Sequence, residues 1–196
     1  MEKPVRRPNP FGAVFLDRDG VINRERAGYV KCWEEFELLP GVLSALARLA
    51  ALPQPIIVIT NQSAVGRGLM RRSVLDDIHR RLQQCVMANG GRIDAFYICP
   101  HHPDEECSCR KPKPGLLHQA GRDFGLRLVD CIFIGDSITD LQAAQAAGCM
   151  CCLVTTGRQG EQLTRMVSNQ PGVVLLSDLE AAVSWLLTQR AATGQV

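Results

Sequence analysis

No apolar run in this chain approaches the roughly 20 residues that a membrane-spanning helix needs, which excludes a span of that kind. Aromatics are scarce, at 5% of residues, and the basic pairs Arg6-Arg7 and Arg71-Arg72 have none interleaved with them. With a net charge of only +2 there is no stripe to hold a polyanion, so no nucleic acid partner is expected. Repeats, low-complexity tracts and obvious linkers are also missing, so the chain reads as one domain over 11–190. The proline-rich, charged start Met1–Pro10 has no apolar core and does not read as a signal peptide. That segment and 191–196 are expected to be mobile tails, and the protein to be a cytoplasmic monomer.

Cysteine, by contrast, is abundant: nine residues, an odd number. Without an export signal, reduced thiols or metal ligands are expected rather than a disulfide framework. Cys131, Cys149, Cys151 and Cys152 lie in or beside apolar runs and read as small core residues. Cys32 and Cys85 carry no signal. Cys99, Cys107 and Cys109 cluster with His101 and His102.

Strand-like runs recur at Ala13–Leu16, Ile56–Thr60, Ala95–Cys99, Cys131–Ile134, Cys151–Thr155 and Val173–Leu176. Helical patterns separate them at Val42–Leu52, Ser73–Ala88, Gly115–Phe124, Thr139–Ala147 and Leu179–Leu187. In the second of these, Val74, Ile78, Leu82, Cys85 and Val86 recur at helical spacing, while His79 and His118 are expected to face solvent. Short strands alternating with longer helices predict an α/β fold with a parallel sheet between helical layers. Ligands of such sheets sit beyond the carboxyl ends of the strands.

The first strand ends in Asp17-Arg18-Asp19-Gly20, and residues i and i+2 of an extended segment point the same way. Two carboxylates ~4 Å apart repel by about 4 kcal/mol at an effective dielectric near 20, so a metal or a lysine should sit between them. The plainer alternative is a strand-end Asp followed by an Asx turn. The other strand ends converge on the same edge. The second runs into Thr60-Asn61-Gln62-Ser63, and the third leads to Arg110-Lys111-Pro112. The fourth ends in Gly135-Asp136-Ser137-Ile138-Thr139-Asp140.

Together these groups suit phosphate ester hydrolysis, where catalysis is mostly positioning and charge neutralisation. A carboxylate can take the phosphoryl group, and a second acid two residues on can protonate the leaving alkoxide and then deprotonate water. Mg²⁺ needs one or two carboxylates plus substrate oxygens. The set resembles the haloacid dehalogenase-like superfamily: D-x-D-G at Asp17 to Gly20, Thr60, Lys111, and Gly135-Asp136-x-x-x-Asp140. The resemblance implies a three-layer Rossmann-like fold, with Asp17 as nucleophile and Asp19 as general acid/base. Asp17, the Asp19 backbone carbonyl and Asp136 would hold Mg²⁺, and Thr60 and Lys111 would stabilise the phosphoryl group. An acid at position 19 favours a phosphatase within that superfamily. Asp140 either orients Lys111 or caps the following helix.

Cys99-Pro-His101-His102-x₄-Cys107-Ser-Cys109 suits tetrahedral Zn²⁺ in a closed, structural Cys₃His site, with His102 as the rival ligand and a chance cluster as the alternative. The intervening Pro103-Asp104-Glu105-Glu106 offers nothing apolar to bury, so a metal clip gives that loop a reason to hold its shape. The clip runs into Arg110-Lys111-Pro112-Lys113-Pro114-Gly115. From about Phe11 to Glu180 the chain resembles the D-glycero-D-manno-heptose 1,7-bisphosphate phosphatases. The marks are Asp-Arg-Asp-Gly-Val-Ile-Asn, Gly28-Tyr29-Val30, Thr-Asn-Gln-Ser, Cys-Pro-His-His and Cys-Arg-Lys-Pro-Lys-Pro-Gly.

By that resemblance Cys99, His101, Cys107 and Cys109 are the zinc ligands, Arg110 contacts the sugar, and the loop Arg26 to Tyr29 lines the site. Arg26, Gly28, Tyr29, Asn61, Gln62, Ser63 and Arg110 form the expected set contacting a small phosphorylated sugar. The chain departs from the family where Ala64-Val65-Gly66-Arg67-Gly68 replaces Gly-Ile-Ala-Arg-Gly, and at Ser137, often lysine. The zinc loop is shorter than in some members, and Glu25–Ala27 reads one residue longer. The related histidinol-phosphate phosphatases share the zinc loop, but Ser63 and Asn23 favour the sugar bisphosphate. About 40 residues between Asp17 and Thr60 leave no room for a large cap domain. A non-catalytic zinc-clip scaffold on the same fold predicts a missing catalytic group, yet all four motifs are filled. Cys152 and Arg158 share the C-x₅-R spacing of cysteine-dependent phosphatases, but the residues between them lack a glycine-rich phosphate loop.

Overall fold

The computed structural model describes residues 12–167, 170 and 172–192. The expected leading tail 1–10 lies outside them, as do residues 193–196 of the trailing one. Six parallel strands form one sheet: β1 (Val14–Leu16), β2 (Ile56–Asn61), β3 (Ala95–Cys99), β4 (Ile132–Gly135), β5 (Met150–Val154) and β6 (Val173–Leu176). Their order is β3-β2-β1-β4-β5-β6. The central strands are apolar throughout because both of their faces are covered.

The helices are α1 (Val42–Ala50), α2 (Arg72–Ala88), α3 (Gly115–Asp123), α4 (Ile138–Ala147), α5 (Gly160–Val167) and α6 (Leu179–Ala192). Strand alternation sends Val14, Leu16, Ile56 and Val58 to one face, where Leu46, Leu49, Ile78, Leu82 and Val183 from α1, α2 and α6 meet them. Ala13, Phe15, Ile57 and Ile59 point the other way, onto Leu116, Leu141 and Leu163 of α3, α4 and α5. The expected three-layer α/β architecture is therefore present. Cys131, Cys149, Cys151 and Cys152 are buried, as their apolar surroundings imply.

β1 lies between β2 and β4, in register Leu16 to Val58 and Leu16 to Ile134. Strand order reverses there, so the carboxyl ends of three strands open onto one crevice. Between β1 and β2 the described elements are a short 3₁₀ turn at Trp33–Glu35 and α1, with no cap domain.

Most boundaries agree with the sequence pattern to within two residues, and two differ more. Gly160–Val167 is helical, an element the pattern does not predict; Leu163 and Val167 are buried one turn apart. α6 continues past Leu187 to Ala192, into the expected tail. His118 is exposed as expected, but His79 is not: it is 5% exposed. The buried stripe of α2 runs Leu75, Ile78, His79, Leu82 and Val86, rotated toward His79 from the expected one.

Candidate active site

Asp17 follows β1 and is buried at its tip. Its Oδ1 accepts the Arg18 N–H at 2.7 Å and lies 2.8 Å from Lys111 Nζ. The same ammonium lies 2.6 Å from Asp140 Oδ1 and donates to the Ile59 carbonyl at 3.1 Å. Asp140 also works from its other oxygen. Asp140 Oδ2 accepts the Asp136 and Ser137 N–H groups at 3.1 and 3.2 Å and the Ser137 hydroxyl at 2.6 Å. Both roles considered for Asp140 are thus filled by one side chain: it pairs with Lys111 and closes the capping box at the start of α4.

Asp136 follows β4 beside this group. A Cβ on Gly20 or on Gly157 would overlap its Oδ2, so both positions require glycine; Gly20 also has φ 88°. Ligand oxygens of Asp17, Asp136 and Asp140 all lie within 4.8 Å of one another, and all three residues are buried. Burial raises the Asp17 carboxyl to about 7, with Lys111 opposing and Asp140 adding to the rise. Burial lifts Asp136 to about 9, reinforced by Asp17 and Asp140. For Lys111 burial works against the ammonium, but Asp140 and Asp17 outweigh it and hold the group well above an ordinary lysine.

With all three buried carboxylates ionised they exceed the one buried ammonium by two negative charges, and burial together with that excess raises Asp17 and Asp136 in the metal-free site. That imbalance and the all-oxygen donor set fit a hard divalent cation such as Mg²⁺.

Asp19 belongs to a separate network. Its carboxylate accepts Arg18 Nη2 on both oxygens at 2.9 Å, Asn23 Nδ2 on Oδ1 at 2.9 Å and Gln62 Nε2 on Oδ2 at 2.7 Å. Burial would raise this carboxyl, but Arg18, with Asn23 and Gln62, outweighs it and holds the group below its ordinary value. Gln62 Nε2 also lies 2.9 Å from Thr60 Oγ1. Asn61 spends its side-chain amide on the Lys111 backbone. Its Oδ1 accepts the Lys111 N–H at 3.1 Å and its Nδ2 donates to the Lys111 carbonyl at 3.2 Å. This amide clamp holds the Lys111 backbone, whose bond to Pro112 is cis, against β2.

These groups open onto a cleft of about 440 Å³. Asp17, Asp19, Thr60, Asn61, Gln62, Ser63, Lys111 and Asp136 line it, as do Arg26, Tyr29 and Arg110. Gly28 is absent from that lining; its carbonyl accepts Lys31 Nζ at 3.0 Å in the turn behind. Tyr29 takes φ 64°, a left-handed conformation uncommon for an aromatic residue. Arg110 Nη1 is buried without a hydrogen-bond partner. Glu25 and Arg158, which the sequence motifs do not single out for this site, also line the cleft and pair at 3.3 Å. Cys152, the other half of the C-x₅-R spacing, is fully buried within β5 and does not line the cleft.

The second constellation lies at the end of β3. His101 Nδ1 is 3.6 Å from Cys99 Sγ and 3.1 Å from Cys109 Sγ; Cys107 Sγ is 3.5 Å from Cys99 and 3.4 Å from Cys109. A tetrahedron with Zn–S bonds of ~2.3 Å and Zn–N bonds of ~2.0 Å has edges of roughly 3.5–3.8 Å, and these separations of 3.1–3.6 Å come within about 0.4 Å of them, as a slightly contracted Cys₃His set for that ion. Against desolvation, hydrogen bonds from Cys109 and Cys99 bring the Cys107 thiol down to about 7, while burial and the neighbouring thiols push Cys109 up and burial pushes Cys99 up, so a metal would have to displace those two protons. His102 stands apart from these four: its Nδ1 accepts the Asp104 N–H at 3.3 Å and caps the 3₁₀ turn Pro103–Glu105.

Residues 108–182 match a family model described as HAD-hydrolase-like. The D-glycero-beta-D-manno-heptose-1,7-bisphosphate 7-phosphatase of Pseudomonas aeruginosa is 41% identical over 174 residues, 89% of this chain and 97% of that one. The D-glycero-alpha-D-manno-heptose-1,7-bisphosphate 7-phosphatase of Mycobacterium tuberculosis is 46% identical over 149 residues, 74% and 78% of the two chains. The crystal structure of D,D-heptose 1,7-bisphosphate phosphatase from B. bronchiseptica, complexed with magnesium and phosphate, superposes with a TM-score of 0.86. It is 38% identical and covers 90% of this chain and 99% of that one.

Proposed function

The chain belongs to the family of D-glycero-D-manno-heptose-1,7-bisphosphate 7-phosphatases, haloacid dehalogenase-like hydrolases, and on that premise we propose that it removes the 7-phosphate of the heptose bisphosphate through a phospho-Asp17 intermediate. The observation that carries the reading is the buried Asp17 carboxylate at a strand tip, 2.8 Å from a buried ammonium and opening on a polar cleft.

Asp17 attacks phosphorus in line with the departing sugar oxygen; Asp19, an ionised carboxylate in this structure, acts as the acid once it has taken up a proton on substrate binding, and passes that proton to the oxygen. A water then gives its proton to Asp19 and attacks the phospho-Asp17, releasing phosphate. Lys111 and Thr60 face the phosphoryl oxygens, where charge shifts in the transition state. Asn61 acts on the phosphate through Lys111, by fixing that residue's backbone. Asp17, Asp136 and the Asp19 carbonyl would hold Mg²⁺, which when bound supplies the missing positive charge and polarises the phosphoryl group. Arg26, Tyr29, Ser63 and Arg110 contact the sugar and its second phosphate, with Gly28 setting the turn that presents Tyr29.

Cys99, His101, Cys107 and Cys109 would hold Zn²⁺ as a clip that shapes the cleft wall next to Arg110 and Lys111. Thiolate ligands of this kind require a reducing compartment, in keeping with a cytoplasmic enzyme.

The test is a substrate panel compared by kcat/KM: both heptose 1,7-bisphosphate anomers, histidinol phosphate and fructose 1,6-bisphosphate, each with Mg²⁺. A heptose bisphosphate should exceed the others by at least tenfold. Preference for histidinol phosphate would overturn the substrate assignment.

A further inference from the structure

Arg18 is the largest fully buried side chain among the described residues; its Nε has no hydrogen-bond partner, so its charge is matched through the two terminal nitrogens. One terminal nitrogen, Nη2, is spent on both oxygens of Asp19. The other, Nη1, lies 3.1 Å from His79 Nε2, which is supplied by α2, 61 positions along the chain. A guanidinium has no lone pair to offer, so Nη1 donates and the His79 ring is the neutral, Nδ1-protonated tautomer. Burial, with Arg18 second, pushes this histidine down to about 3, consistent with a neutral ring. The ring is held in its plane by Phe96 of β3, stacked at 4.4 Å and 10°. Phe36 covers the guanidinium at 5.7 Å. His79 lies outside the residues lining the cleft, so any influence on the reaction must pass through Arg18.

We propose that His79 is a positioning residue for the second half of the reaction: it fixes the plane of Arg18, and Arg18 holds the Asp19 carboxylate where it receives the proton of the attacking water. The proposal rests on the acid/base reading of Asp19. In that step a water O–H bond breaks and its proton goes to Asp19. The water oxygen bonds to phosphorus, and the bond from phosphorus to Asp17 breaks, returning its electron pair to the Asp17 carboxylate. Asp19 already accepts four hydrogen bonds, about its full capacity. An incoming water therefore displaces a donor. Gln62 is the one with an alternative, because its Nε2 already has Thr60 Oγ1 within 2.9 Å. The Arg18 Nη2 contact with both oxygens, anchored by His79, stays in place and keeps the carboxylate aimed.

The experiment compares His79→Phe, which keeps a ring against Phe96 but removes the acceptor, with His79→Gln, which returns one at the reach of Nε2. On p-nitrophenyl phosphate, whose leaving group needs no acid, His79→Phe should slow hydrolysis of the phosphoenzyme in rapid-quench measurements. The expected slowing is about ten- to a hundredfold, part of the 10²–10⁴ that a general base supplies. A burst of nitrophenol should appear, kcat and KM should fall together, and kcat/KM should change less than about threefold. His79→Gln should recover most of the rate.

Equal losses in kcat and kcat/KM without a burst, or an unchanged second step, would overturn the proposal. Asp19→Asn separates the two levels: a wild-type second step there rejects the acid/base reading itself, whereas a slowed one beside an unaffected His79→Phe rejects only the role of His79. Should the phenylalanine variant not fold, His79→Met takes its place. Long-range ¹H–¹⁵N spectra of the unmodified protein give an independent reading, since a proton on His79 Nε2 would contradict the arrangement.

Discussion

Replacing Asp140 by Asn preserves volume and leaves an oxygen for the Asp136 and Ser137 N–H groups, but it turns an amide NH₂ toward the Lys111 ammonium. The lost attraction can be sized from the 2.6 Å separation of fully buried Asp140 from Lys111. At an effective dielectric near 20 it is about 6 kcal/mol. Part of this is offset by desolvation no longer needed for the carboxylate, which brings the cost to the roughly 3–5 kcal/mol typical of breaking a buried pair. For a chain of this size that corresponds to a Tm lowered by roughly 6–20 °C.

The sign of the metal dependence follows from the charges. With Mg²⁺ bound, three carboxylates, one ammonium and the ion are neutral together, and deleting Asp140 leaves an uncompensated positive charge. Without metal, the same deletion relieves the repulsion that raises Asp17 and Asp136. The loss should therefore be full in saturating Mg²⁺ and markedly smaller in EDTA, read by thermal and urea unfolding. Equal losses in both conditions, or a loss below about 1 kcal/mol in Mg²⁺, would refute the reasoning.

Lys111→Ala should lower kcat by about 10²–10³, the scale of removing one charge-stabilising donor; a wild-type rate would shift the role to Lys113. Purified protein should carry about one zinc per chain, and Cys107→Ser should release it with a fall in Tm. A zinc-free preparation with wild-type stability and activity would rule out the clip. Metal-free stability should also depend on pH. Asp17 and Asp136, raised from 3.8 to about 7 and about 9, bind protons in the folded state that the unfolded chain lacks. Stability in EDTA should consequently fall as pH rises from 7 to 9, and Mg²⁺ should restore more at pH 9 than at pH 7. His79, lowered to about 3 from 6.5, costs stability only as pH drops below its unfolded value and does not disturb this window.

The parts of the site that are legible in the sequence are those written in consecutive residues. An apolar run ending in Asp17-Arg18-Asp19-Gly20 fixes both a buried strand and where its acids emerge, because the sheet leaves only one edge for them. The spacing of Cys99, His101, Cys107 and Cys109 likewise survives folding, since one loop carries all four. What escapes depends on contacts between distant positions. Asn61 faces the Lys111 backbone, 50 positions on, and Glu25 meets Arg158 across the cleft mouth. Solvent exposure of His79 follows only if the apolar stripe of α2 is centred toward Val74 and Cys85. Leu75, Leu82 and Val86 lie three, four or seven positions from His79, spacing that puts it on the buried face. Arg18 is buried through contacts no local pattern shows, with Phe36 over its guanidinium and His79 at its Nη1.

The central claim is that Asp17 carries the phosphoryl group during turnover. Quenching the enzyme with borohydride during steady-state hydrolysis would reduce an aspartyl phosphate to homoserine, which peptide mass spectrometry can place. A phospho-Asp17 intermediate predicts homoserine at position 17, dependent on both substrate and Mg²⁺. Modification at another residue, or turnover with an unmodified position 17 under conditions that trap the intermediate, would contradict it.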